Sequence, residues 1–107
     1  MPEGGQRTEY VVRLSAVDRY RHLHVRSGKR IVFFRVQLET LIEGEWLPVV
    51  RYDTAHGFAH RDLMGRHGQV EKTPLFNQDM NDALTFAESD LKTNWLSYRS
   101  RFWEEGK

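Results

Sequence analysis

The sequence predicts an α+β domain, an antiparallel β-meander of four or five strands with one long C-terminal helix packed on one face. Three observations predict it. From Glu9 to about Met64 the apolar residues recur mostly at every second position, the period of a strand. Turn signals at Ser27-Gly28, Glu43-Gly44-Glu45 and His56-Gly57 divide that stretch, and connections so short join antiparallel neighbours. After Pro74 the period changes, and Met80, Leu84, Ala87, Leu91, Trp95, Tyr98 and Phe102 form a helical stripe.

In chain order, Met1–Thr8 reads as a flexible leader and residues 9–107 as a single domain. Val12, Leu14 and Ala16 alternate with polar residues, as do Leu23 and Val25, and then Phe34, Val36 and Leu38. The helix is expected over 78–104, capped by Asn77 or Asp79, with Asp79 and Asp82 at its positive end. Arg99 and Arg101 suit its negative end. Trp95 and Tyr98 fall on the packing stripe and are expected in the core. Phe86, Leu96 and Trp103 lie off the stripe and are expected to widen the buried face or, as the alternative, to mark a dimer contact.

Composition narrows the function classes. With 107 residues, 39% hydrophobic, the chain has material for one core. The longest uncharged apolar run, Ile31-Val32-Phe33-Phe34, is far short of the ~20 residues that cross a bilayer. No apolar stretch follows the start, so a cytoplasmic protein without a membrane association is expected. There is no Cys, which excludes thiolate catalysis and thiolate metal sites. The net charge of +1 hides an asymmetry: residues 18–35 carry six basic groups against Asp18, while residues 36–107 carry eight basic against twelve acidic. A basic segment of that kind attracts phosphate or an acidic partner.

Register turns this outline into a candidate site. A two-residue turn at His56-Gly57 places Asp53 opposite His60, Tyr52 opposite Arg61 and Arg51 opposite Asp62. A three-residue loop at Glu43-Gly44-Glu45 places Val36 opposite Tyr52 and Leu38 opposite Val50. A two-residue loop would instead face Gln37 with Val50. Together these registers build two polar rows, Arg35–Asp53–His60 and Gln37–Arg51–Asp62, on one face, with the helix on the other. A two-residue turn at Ser27-Gly28 adds Tyr20 beside Arg35 and His22 beside Phe33 to the polar face. His22, His24, His56 and His60 would then share one surface.

The segment Tyr52-Asp53-Thr54-Ala55-His56-Gly57-Phe58-Ala59-His60-Arg61-Asp62 is the densest in polar groups. Its Y-D-x-x-H-G-x-x-H-x-D pattern resembles that of a family of small uncharacterised bacterial proteins. More distantly it is similar to the TumE-type toxins of toxin–antitoxin pairs, through Tyr52, Asp53, His56, His60 and Asp62. The resemblance implies a toxin–antitoxin or nucleic-acid context and supplies no mechanism.

Three functional expectations follow. In the first, the chain is an interaction or nucleic-acid-binding module, with RNA or a partner protein held by Arg35, Arg51, Tyr52, Asp62, Tyr20 and His22. In the second, it is a metal-independent ribonuclease-like toxin, with His60 paired to Asp53 as base, His56 as acid and Arg35 or Arg51 on the phosphate. In the third, it is a metal-binding hydrolase or metal-binding protein with Asp53, His56, His60 and Asp62 as ligands; His-x-x-x-His across a turn matches the helical zinc motif poorly, and no metal or other cofactor is expected. The sequence leaves open whether the protein is an enzyme, and a homodimer is compatible with it.

Overall fold

The computed structural model describes residues 5–55, 57–75 and 79–106. Six strands, β1 (Gln6–Arg13), β2 (Asp18–Ser27), β3 (Arg30–Ile42), β4 (Glu45–Asp53), β5 (His60–Met64) and β6 (Val70–Pro74), precede one helix, α1 (Met80–Glu105). They form a single antiparallel sheet in sequence order. The α+β class and meander hold, and the sheet has six strands in place of four or five. The added strand, β6, is nearly all exposed and carries no apolar alternation, so periodicity could not reveal it. At the other end, β1 starts at Gln6, inside the segment read as a leader.

The helix lies across the middle of the sheet. Ala83, Leu84, Ala87, Leu91 and Phe102 are buried against Tyr20, Phe34, Val36, Leu38, Val50 and Tyr52. Trp95 and Tyr98 pack at the margin of this core. Asp79 caps the helix by accepting from the Asp82 N–H at 2.8 Å. Phe86, Leu96 and Trp103 do not widen the buried face; they remain 43%, 53% and 40% exposed. Arg99 reaches from the helix to buried Asp18 at 3.2 Å, and Arg101 bonds both Glu105 and the Met64 carbonyl.

Two β-bulges decide which side chains share a face. Ile42 pairs with Glu45, so the β3–β4 turn contains only Glu43 and Gly44, both at positive φ (52° and 81°). One extra residue in β4, Val49, then restores the register in which Leu38 faces Val50 and Val36 faces Tyr52. The expected facing pairs are therefore present, although the turn is shorter than the three residues invoked for them. Burial accounts for the bulge: Val49 and Val50 both enter the core.

The β2–β3 turn departs further. Ser27 pairs with Arg30, which places the turn at Gly28-Lys29, and a bulge at Val32 adds one more residue of shift. Tyr20 consequently faces Leu38 and His22 faces Val36, three residues from the expected register. An odd shift reverses the face. Tyr20 and His22 thus point towards the helix and away from Arg35.

Candidate functional site

Side chains alternate across the sheet, so with Tyr20, Val36 and Tyr52 under the helix, the odd-numbered residues of β3 and β4 up to the Val49 bulge turn away from it. Pairing aligns them in rows that cross all six strands. One row runs Glu9, Leu23, Arg35, Asp53, His60 and Pro74; its neighbour runs Val11, Arg21, Gln37, Arg51, Asp62 and Lys72. Both expected three-residue rows lie within these. Asp53 faces His60 in the ladder even though the connection between β4 and β5 spans 54–59, with Gly57 N–H donating to the Thr54 carbonyl.

Asp53, Asp62 and Glu39 of this face are buried and held by bases, whereas Glu9 at the β1 end is exposed beside Arg7 at 3.2 Å. Asp53 receives His60 Nε2 at 2.8 Å and Arg35 at 3.3 Å. Asp62 binds Lys72 at 2.9 Å, with His60 Nε2 at 3.7 Å. Glu39 takes Arg19 at 2.8 Å and the Gln37 amide at 2.6 Å, and Arg51 donates to Gln37 Oε1 at 2.7 Å. Burial of an unpaired carboxylate would cost several kcal/mol, which explains why each acid has a cation or amide beside it. The cations lie further out: Arg21 and Arg35 are 57% and 43% exposed, whereas Asp53 is 4% exposed. Around Arg21 and Arg35 this face therefore presents positive charge over a buried acidic layer. Arg19 also lies over the Trp46 ring at 4.0 Å.

A groove of about 500 Å³ opens on this side of β1–β3, with Arg7, Glu9, Arg21, Leu23, Arg35 and Gln37 among its walls. A larger hollow of about 860 Å³ lies at the helix start and, among the described residues, includes only Arg30 and Asp79 as charged lining, away from the polar rows.

His60 is not presented to solvent. Its side chain is 2% exposed, its Nε2 faces Asp53, and Phe58 lies edge-on at 6.0 Å. His56, expected as an acid at the turn, lies outside the described residues. Among the described residues no three His, Asp or Glu side chains are grouped to hold a metal ion. Tyr52 points to the helix, where its hydroxyl donates to Asp90 Oδ2 at 2.7 Å. Tyr98 donates to the same oxygen at 2.5 Å. Burial and the Asp90 carboxylate push both phenols above the usual tyrosine range.

The displaced residues form a second cluster under the helix. Glu88 accepts from the hydroxyls of Tyr10 and Tyr20, the latter at 2.7 Å, and touches His22 Nδ1. His22 stacks on Tyr10 with centroids 4.3 Å apart, and its Nε2 lies 2.6 Å from His24 Nδ1. Burial holds His22 below its ordinary value, more strongly than the Glu88 carboxylate offsets. Burial and then Arg26 lower His24. For Glu88 itself burial pushes up, yet the two tyrosine hydrogen bonds with His22 and Lys92 outweigh it and leave the carboxyl lowered. Thus His22 and His24 do not share a surface with His60. The sequence did contain a signal for this cluster: Glu88 sits four residues after Leu84 and three before Leu91, on the face that docks on the sheet.

Residues 5–107 match the family model for a domain of unknown function, DUF7718. The chain belongs to that family. No curated protein and no solved structure matches it. For this DUF7718 chain the geometry must carry the functional reading, and among the described residues no helix is long and apolar enough to cross a membrane.

Proposed function

We propose that the protein is a nucleic-acid-binding module whose helix-free sheet face holds the phosphate backbone of a single strand. One observation carries the reading: Asp53, Asp62 and Glu39 are buried and already paired, while Arg7, Arg21 and Arg35 line an open groove in which Glu9 is the one acid among the described residues. Exposed guanidinium groups neutralise phosphates and release condensed counterions, the main source of affinity for nucleic acid. The pairing of His60 with Asp53 serves the architecture of the face in this reading, since a base acting on a ribose hydroxyl must reach it. The toxin–antitoxin setting implied by the sequence resemblance is a context for such a module, and the chemistry assigned here is binding without turnover.

The test is fluorescence anisotropy with a labelled single-stranded oligoribonucleotide. The combined change Arg21→Glu and Arg35→Glu is expected to weaken binding at least about tenfold, and each single Arg→Ala change to lower the log–log salt slope by about one. Equal affinity in the double variant, or cleavage of the oligonucleotide by the parent protein that Asp53→Asn abolishes, contradicts this reading.

A further inference from the structure

The two edges of the sheet are unlike. β6 is five residues long and ends in Pro74, features that discourage pairing with another strand. β1 is eight residues long, exposed along its length except at half-buried Val12, and contains no proline. Its main-chain orientation is set at its end, where Leu14 N–H donates to the Asp18 carbonyl in β2 at 3.0 Å. Main-chain groups alternate sides along a strand, so those of Glu9, Val11 and Arg13 point outward from the sheet. Val11, in the middle of this open row, is 53% exposed.

We infer that β1 pairs antiparallel with β1 of a second copy of this chain, about a two-fold axis through Val11. In that register Val11 faces Val11, and Glu9 of each copy faces Arg13 of the other. Three outward-bonding pairs then exchange about six main-chain hydrogen bonds, and two opposite-charge pairs flank an apolar centre. Sliding the register by two residues in one direction sets Arg7 against Arg13, and in the other sets Glu9 against Ser15 and Val11 against Arg13. Only the Val11-centred register satisfies both charges of the strand centre. Within one chain Glu9 meets Arg7 at 3.2 Å as an exposed pair, a contact of little worth that is readily exchanged. Among the described residues Arg13 has no carboxylate partner; it lies 5.7 Å from the Trp46 ring. Because Glu9, Val11 and Arg13 lie on the helix-free face, the pairing joins two such faces into one continuous sheet. The inference does not rest on what that face binds.

An edge-to-edge contact is at the small end of specific interfaces, so a dissociation constant on the order of 10 µM is expected. Sedimentation equilibrium across about 5–500 µM tests it, with circular dichroism confirming that each variant is folded. The parent chain should dimerise. Glu9→Arg and Arg13→Glu should each weaken the dimer at least about tenfold, and the two together should return it to within about threefold. Val11→Asp, which sets two carboxylates on the axis, should leave a monomer. A parent chain that stays monomeric at 500 µM overturns the inference. So do a dimer that survives Val11→Asp, single inversions without effect, and a double inversion that fails to regain the dimer.

Discussion

Asp53 and His60 face one another across β4 and β5, with Oδ1 and Nε2 2.8 Å apart and both side chains almost wholly buried. The pair sits beneath Arg35 and beside Asp62, at the centre of the helix-free face. Its position makes it the support on which the outer arginines rest.

Removing one member leaves the other buried without its partner. His60→Ala or Asp53→Asn is therefore expected to cost about 2–4 kcal/mol, read as a lowered urea midpoint. A loss below about 0.5 kcal/mol in both variants would mean that the pair contributes little to the fold.

The cluster at Glu88 predicts a pH dependence. His22 and His24 are held below their ordinary value of 6.5, so as pH falls the unfolded chain takes up these protons before the folded chain does. Their contribution is fully present above about pH 6.5 and is lost below it. Glu88, lowered from 4.5, adds a second loss at more acid pH. The urea midpoint should change little from pH 8 to 7 and then drop towards pH 5, with a shallower drop in His22→Gln. An identical profile in that variant contradicts the assignment.

The β3–β4 turn gives a local test. Gly44 has φ of 81°, and no atom lies within 4 Å of the place an added methyl would take, so Gly44→Ala meets backbone strain alone. A loss of about 1 kcal/mol is expected in thermal or urea unfolding. Unchanged or raised stability would show that the turn does not need the left-handed conformation.

The polar rows are legible in the sequence because facing apolar residues calibrate the count: Val36 with Tyr52 and Leu38 with Val50 allow one register only. That calibration works despite the wrong turn length, since the bulge at Val49 compensates for the shorter loop. Between β2 and β3 the turn offers no such check. A turn one residue later and a bulge at Val32 move Tyr20 and His22 to the other face, and counting cannot see a bulge. The Glu88 cluster is hidden for the same reason, because a count without the bulge sets Tyr20 and His22 opposite the helix. β6 escapes because Lys72 and main-chain pairing hold it to β5, and neither leaves a periodic trace.

Whether a nucleic-acid strand lies on the proposed helix-free face is read residue by residue by nuclear magnetic resonance. A labelled protein is titrated with a short single-stranded oligoribonucleotide in about 50 mM salt and again in about 200 mM salt. Shifts are expected to concentrate at Arg7, Arg21, Arg35 and Arg51 and to fade at the higher salt. Shifts confined to the helix, or none with oligonucleotide in the millimolar range, would contradict the proposed binding.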